Sequence, residues 1–239
     1  MKTLGIIGGL GPESTVDYYR SIIAVYRERT GGNGYPAMVI VSLDVDKGLQ
    51  LLGDNQLDEM AEYLAGGARQ LAAAGCDFAL LSANSGHIVF DELREASPIP
   101  LISIVELTCE QVSRQQLKIV GLLGTRFTMA GRFYPEVAEK YGIRLVAPSA
   151  EEQAYIHEKY VNELLRGTFL PETRSALQQI IATMKDRDGI EGVVLAGTEL
   201  PLILRADTIA GLPLFDTTQI HVAAAVAEIV DDSRTGRGA

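Results

Sequence analysis

The sequence is poor in cysteine and has no surplus of basic residues. Its two cysteines, Cys76 and Cys109, are too few for a disulfide framework, so we expect reduced thiols that pack as small hydrophobic side chains. Lysine and arginine total 21 against 31 aspartates and glutamates, which gives a formal net charge of -10. Because no basic patch stands out, the composition argues against binding to nucleic acid or an anionic membrane.

Long apolar runs are also missing. The segment Met1–Gly8 is too short and too interrupted by glycine for a signal peptide or a membrane span, so a cytoplasmic protein is expected. Hydrophobic residues make up 47% of the chain and charged residues 22%. This balance predicts a globular protein with a large buried core, and we expect only residues 232–239 to fray.

A nucleotide-binding fingerprint is absent from the glycine-rich loop near the N-terminus. The loop Gly8–Pro12 follows an apolar strand, residues 4–7, and precedes a helical pattern over residues 14–26. Its glycines do not have the spacing G-x-G-x-x-G, and no GK[ST] follows. The loop is therefore predicted to bring main chain close to another group without binding a nucleotide.

Apolar strands alternate with helices along the whole chain, and the pattern occurs twice. Gly5 and Gly8 recur as Gly121 and Gly124, and Ala83 corresponds to Gly197, at offsets of about 115 residues. Further strands are predicted at 37–42, 77–81, 99–104, 144–146, 192–196 and 212–215, with long helices at 57–74 and 171–187.

This pattern predicts an α/β fold of two similar lobes with parallel sheets, related by pseudo-two-fold symmetry. The predicted first lobe is discontinuous, residues 1–100 plus 214–239, and the second comprises residues 101–213. Two turns follow equivalent buried strands, Leu81–His87 and Leu195–Pro201. Since ligands bind beyond the carboxyl ends of parallel strands, we expect these turns to face each other across one cleft between the lobes.

Several short motifs resemble those of the aspartate/glutamate racemase superfamily, most closely its aspartate racemase branch. The motifs span nearly the whole chain in the family's order. They are Gly8-Gly-Leu-Gly-Pro12 with Thr15, Asn84-Ser85-Gly86-His87, Leu122-Leu-Gly-Thr125 with Thr128-Met129, Ile156-His157 with Glu163-Leu164 and Gly167, Thr198-Glu199-Leu200-Pro201, and Phe215-Asp216-Thr217-Thr218 with His221.

The resemblance implies two Rossmann-like lobes, each supplying an acid/base group to one face of the substrate α-carbon. It also implies a homodimer that uses neither pyridoxal phosphate nor a metal. In the family the two groups are cysteines, at the positions of Ala83 and Gly197 here. Neither Ala nor Gly can carry a proton, and Cys76 and Cys109 lie outside both motifs.

Other polar residues of the two motifs could substitute for the cysteines, or could serve only as hydrogen-bonding and structural groups. These candidates are Ser82, Ser85, His87, Thr198 and Glu199. The substrate carboxylate is expected to contact neutral donors and backbone N–H groups. Lys47 and Lys159 are the cations expected to reach a second carboxylate or the substrate side chain, although Lys159 could instead be a solvated helix residue. The predicted binding residues are Leu10, Gly11, Lys47, Asn84, Ser85, Thr125, Lys159 and Thr198.

The leading hypothesis is a cofactor-independent racemase or isomerase acting at the α-carbon of an amino acid or another small carboxylate. The alternatives are a protein that binds an amino acid or dicarboxylate without turnover, and a different reaction such as elimination or decarboxylation. If the lost thiols are the only difference from a racemase, Ala83→Cys combined with Gly197→Cys should create racemisation.

Overall fold

The chain forms two parallel-stranded sheets that carry the same strand order. The structure is a computed structural model and describes residues 1–231, so the predicted frayed end lies outside the described residues. The first sheet has the order β2-β1-β3-β4, and all its neighbours are parallel. Its strands are β1 (Leu4–Gly8), β2 (Met38–Ser42), β3 (Phe78–Leu81) and β4 (Leu101–Ile102).

The second sheet repeats this order as β6-β5-β7-β9, with β8 added antiparallel at the β9 edge. The α/β fold with two similar lobes is therefore confirmed, and β5 is the counterpart of β1. The strands of the second sheet are β5 (Ile119–Gly124), β6 (Arg144–Val146), β7 (Gly192–Ala196), β8 (Thr208–Ile209) and β9 (Leu212–Asp216).

Helices cover both faces of each sheet. In the first lobe they are α1 (Pro12–Arg29), α2 (Val45–Gly53), α3 (Leu57–Ala73) and α4 (Phe90–Ala96), with a 3₁₀ turn at Ser85–Val89. The later helices are α5 (Ile104–Arg114), α6 (Arg126–Ala130), α7 (Phe133–Lys140), α8 (Ala150–Asn162), α9 (Pro171–Asp188), α10 (Leu200–Leu204) and α11 (Thr217–Val230), with a 3₁₀ turn at Leu164–Arg166.

The central strands β1, β3, β5 and β7 are nearly continuous apolar runs, because both of their faces are buried. In β1, Ile7 packs in the cluster that includes α3, whereas Ile6 packs in the cluster that includes α1 and α11. The predicted lobe boundary after residue 213 falls inside β9, and the boundary after residue 100 assigns β4 to the second lobe. β4 pairs with β3 in the first sheet, and β9 pairs with β7 in the second.

The last helix returns to the first lobe and is held there by a buried hydrogen bond. His221 of α11 pairs its Nδ1 with the Tyr18 hydroxyl at 2.9 Å, and its Nε2 lies 3.2 Å from the Ile102 carbonyl oxygen. Val222 and Val226 pack in the same cluster as Tyr18. These contacts fasten α11 to α1 and to β4.

Tyr18→Phe should therefore destabilise the protein by about 1–3 kcal/mol, because it leaves a buried imidazole nitrogen without its partner. Urea unfolding followed by far-UV circular dichroism measures the change. Tyr19→Phe is the matched control, since Tyr19 lies on the same helix and is 47% exposed. Equal midpoints for the two variants would contradict the assigned role of the Tyr18–His221 contact.

Candidate functional site

The turns that follow β1, β3, β5 and β7 meet at one cleft. The structure thus brings together the two turns that the repeat singled out, and both Ala83 and Gly197 line the cleft. Seven of the sequence-predicted site residues line the cleft. These are Leu10, Ala83, Asn84, Ser85, Thr125, Gly197 and Thr198.

Hydroxyl groups from both lobes meet in the cleft. The Ser85 hydroxyl lies 2.7 Å from that of Thr125 and 3.1 Å from that of Thr128. Thr128 is fully buried, so Ser85 and Thr125 are the members of this group that face the cleft. A chain of hydroxyls can donate to a carboxylate without carrying charge, which suits a binding role.

Asn84 is largely occupied by protein partners. Its side-chain oxygen accepts a hydrogen bond from Tyr134 at 2.6 Å, and its amide nitrogen donates to Thr217 at 3.1 Å. One amide hydrogen remains available for a ligand. Asn84 consequently joins the first lobe to α7 and α11 as well as bordering the cleft.

Ser82 and His87 lie behind the cleft wall. The fully buried Ser82 hydroxyl donates to the Ile7 carbonyl, and His87 accepts from the Ile104 N–H through Nε2 and bonds the Ala83 carbonyl through Nδ1. Burial lowers the pKa of His87 to about 3, so the imidazole is neutral. Neither residue lines the cleft, and both hold the turn that carries Ala83.

The two predicted cations lie outside the cleft wall. The Lys47 ammonium sits 4.4 Å from the centroid of the Tyr63 ring. The Lys159 ammonium donates to Glu163 at 2.7 Å and also pairs with Glu158. These contacts match the alternative in which Lys159 is a paired surface residue of its helix.

Tyr160 is the residue that sequence reasoning missed. It belongs to α8, lines the cleft and is 4% exposed. A Cβ placed on Gly197 would lie 2.5 Å from the Tyr160 ring and 3.0 Å from its hydroxyl oxygen. The ring therefore occupies the space that a side chain at position 197 would need.

The Tyr160 hydroxyl donates to Oε2 of the buried Glu199, which also accepts from the Thr198 hydroxyl at 3.1 Å. The other oxygen, Oε1, has no hydrogen-bond partner within residues 1–231. Oε1 fills the position of a Cβ on Gly11, the N-cap residue of α1. A carboxylate is favoured there by the positive end of the helix dipole.

Burial raises the pKa of Glu199, and the hydrogen bonds from Tyr160 and Thr198 oppose that shift. Burial, reinforced by the Glu199 charge, raises the pKa of Tyr160 well above its usual value. Tyr160 is thus a neutral phenol that donates a hydrogen bond to the Glu199 carboxyl group. This pair can pass a proton, which neither Ala83 nor Gly197 can do.

The chain is similar to known proteins over nearly its whole length. Residues 7–225 match the family model described as Asp/Glu/Hydantoin racemase. The chain belongs to this family. The broad specificity amino-acid racemase RacX of Bacillus subtilis (strain 168) is 26% identical over 208 residues, which cover 84% of this chain and 87% of that protein.

Solved structures of racemase relatives have the same fold. An aspartate racemase homologue from Pyrococcus horikoshii OT3 is 30% identical with a TM-score of 0.81, covering 96% of this chain and 99% of that one. The Picrophilus torridus aspartate racemase is 22% identical with a TM-score of 0.75, covering 96% and 94%. The fold is therefore that of the racemase family over the full two-lobed length.

The cysteines of this family member are remote from the cleft wall. Cys76 and Cys109 are buried free thiols, and burial raises the pKa of Cys109 to about 12 and that of Cys76 above its usual value. Among the described residues, no cluster of three His, Cys, Asp or Glu side chains could hold a metal, and no helix could cross a membrane.

Proposed function

We propose that the protein binds a small amino acid or related carboxylate between its lobes and transfers a proton at the α-carbon, as a racemase or isomerase independent of pyridoxal phosphate. The observation that carries this proposal is the Tyr160–Glu199 pair beside Gly197. The pair supplies an acid/base group next to the position where the family resemblance expects a cysteine. Ser85 and Thr125 are the hydroxyl donors that hold the carboxylate, because the Thr198 hydroxyl already donates to Glu199.

On the Gly197 side of the cleft, we propose that the proton is relayed through two oxygen atoms, those of Tyr160 and Glu199. The α-hydrogen moves to the Tyr160 hydroxyl oxygen as the Cα–H bond breaks, and the phenolic proton moves to Oε2 of Glu199. The electron pair stays on the substrate as an enediolate, which the hydroxyls of Ser85 and Thr125 stabilise. Return of the proton reverses these steps.

The two faces of the cleft are unequal. Within the part of the chain that the structure describes, Ala83 and its neighbours present no titratable side chain to the cleft. This asymmetry favours a second candidate function, binding of the same ligand class without turnover. It also predicts that an active enzyme exchanges the α-hydrogen faster than it inverts the stereocentre, since proton delivery from the Ala83 face depends on hydroxyls or water.

Incubation with single enantiomers of amino acids in D₂O tests the function. Proton NMR should show loss of the α-hydrogen signal, with slower appearance of the opposite enantiomer by chiral chromatography. Stabilisation in a thermal-shift assay without exchange across the panel would favour the binding protein. If no amino acid or small carboxylate either exchanges or stabilises the fold, both functions are rejected.

The family resemblance also supports a homodimer, and we propose a cytoplasmic location. Light scattering coupled to size-exclusion chromatography should give twice the mass of one chain. A monomer at micromolar concentration would overturn this part of the proposal.

A further inference from the structure

The cleft has a polar end and an apolar wall. Helix α2 supplies much of the wall, α3 adds Met60, and Leu10 and Leu165 complete it. The apolar side chains that line the cleft are Leu10, Val45, Leu49, Leu52, Met60 and Leu165. The polar groups, including Ser85 and Thr125, are gathered at the strand ends.

We propose that the substrate is a small monocarboxylate with an apolar side chain, and not a dicarboxylate. This rests on the proposed function of the cleft and specifies its substrate class. The carboxylate is bound by the hydroxyls and backbone at the strand ends, and the side chain contacts the wall built by α2 and α3. Burial of an apolar side chain against this wall removes it from water and is favourable.

Charge distribution separates the two substrate classes. Within residues 1–231 no lysine, arginine or histidine lines the cleft. Lys47 stacks on Tyr63, Lys159 pairs with Glu163, and Arg126 lies over the ring of Phe127 at 4.8 Å. A second carboxylate placed against the wall would lose its hydration without gaining a cation, which is costly for a buried charge.

The wall is also closely packed where α2 meets the glycine-rich loop. A Cβ on Gly48 would lie 3.0 Å from Cδ2 of Leu10, so the absence of a side chain at position 48 allows that leucine to form the wall. Both residues line the cleft. This close packing of α2 against the loop forms an apolar surface, and the side chain of a dicarboxylate substrate would have to lie against it.

Isothermal titration with matched ligands tests the proposal. The apolar set is leucine, methionine and 4-methylpentanoate, and the charged set is aspartate, glutamate and glutarate. We expect the best apolar ligand to bind at least about tenfold more tightly than the best charged one, a difference of roughly 1.4 kcal/mol. Equal or tighter binding of the charged set would overturn the inference and leave the proposed function intact. Failure of both sets would instead reject the proposed function.

A charge placed in the wall provides the matched variant. Leu49→Arg puts a cation into the half-buried wall of α2, whereas Gln50→Arg puts the same charge on the exposed face of that helix. Leu49→Arg should shift the preference toward glutarate by about tenfold or more, and Gln50→Arg should leave it unchanged. If Leu49→Arg folds and its preference between apolar ligands and glutarate is unchanged, the assignment of the wall is contradicted. If this variant does not fold, the titration of the wild-type protein decides the substrate class.

Discussion

Tyr160→Phe is expected to lower the rate of α-hydrogen exchange by about 10²- to 10⁴-fold, the usual contribution of a positioned general acid or base. The substitution keeps the ring beside Gly197 and removes only the hydroxyl that bonds Glu199. Ligand affinity should change much less, because the hydroxyls of Ser85 and Thr125 remain. Exchange rates by NMR and dissociation constants by titration separate the two effects.

The control for this variant is Tyr155→Phe on the same helix. Tyr155 lies outside the cleft wall, so its variant should keep the wild-type exchange rate. Exchange that persists at the wild-type rate in Tyr160→Phe would remove Tyr160 from the mechanism. Loss of exchange together with loss of ligand binding would show that the hydroxyl acts by holding the cleft in shape.

Glu199→Gln distinguishes the relay from a simple hydrogen bond. Glutamine can still accept from Tyr160 but cannot take up its proton. In the wild type the exchange rate should rise with pH through the raised pKa of Glu199 and then level off, because the relay needs the carboxylate. The rising limb should be absent in Glu199→Gln. A rising limb of the same midpoint in this variant would assign the titration to another group.

The repeated α/β architecture was predictable because both faces of the central strands are buried. Strands such as β3 and β7 are therefore continuous apolar runs, and the glycines of β1 recur in β5. Short elements were not predictable in the same way. β4 has two residues, and β8 exists only as an antiparallel addition to β9.

The position of the cleft was also predictable, since it follows from where parallel strands end. The side-chain contacts within the cleft were not predictable from the sequence. Tyr160 lies on a helix far along the chain from Gly197, and only packing brings its ring to that glycine. The available signal was the glycine itself, because a missing side chain in a tightly packed turn indicates that another group fills the space. Asn84 shows the converse, since its type suggested ligand binding whereas its contacts are mainly with Tyr134 and Thr217.

Gly197→Cys is expected to reduce the free energy of unfolding by about 1–3 kcal/mol, the cost of overpacking a closed interior. Its Cβ would lie 2.5 Å from the Tyr160 ring, so the ring must move and its bond to Glu199 must break or distort. Ala83→Cys is the control, because Ala83 already has a Cβ and borders the open cleft. Chemical denaturation of both variants measures the difference.

The double variant with Tyr160→Ala tests whether the ring is the obstacle. Gly197→Cys should cost about 1–3 kcal/mol less in that background than in the wild type, because the two positions share one space. Equal costs in both backgrounds would contradict the steric assignment. The sequence alone predicts racemisation from Ala83→Cys with Gly197→Cys if the thiols are the only difference, whereas the Tyr160 ring adds a second difference at position 197. We expect that pair to gain racemisation only when Tyr160 is also reduced to alanine, because a thiol and a phenol cannot occupy the Gly197 face together.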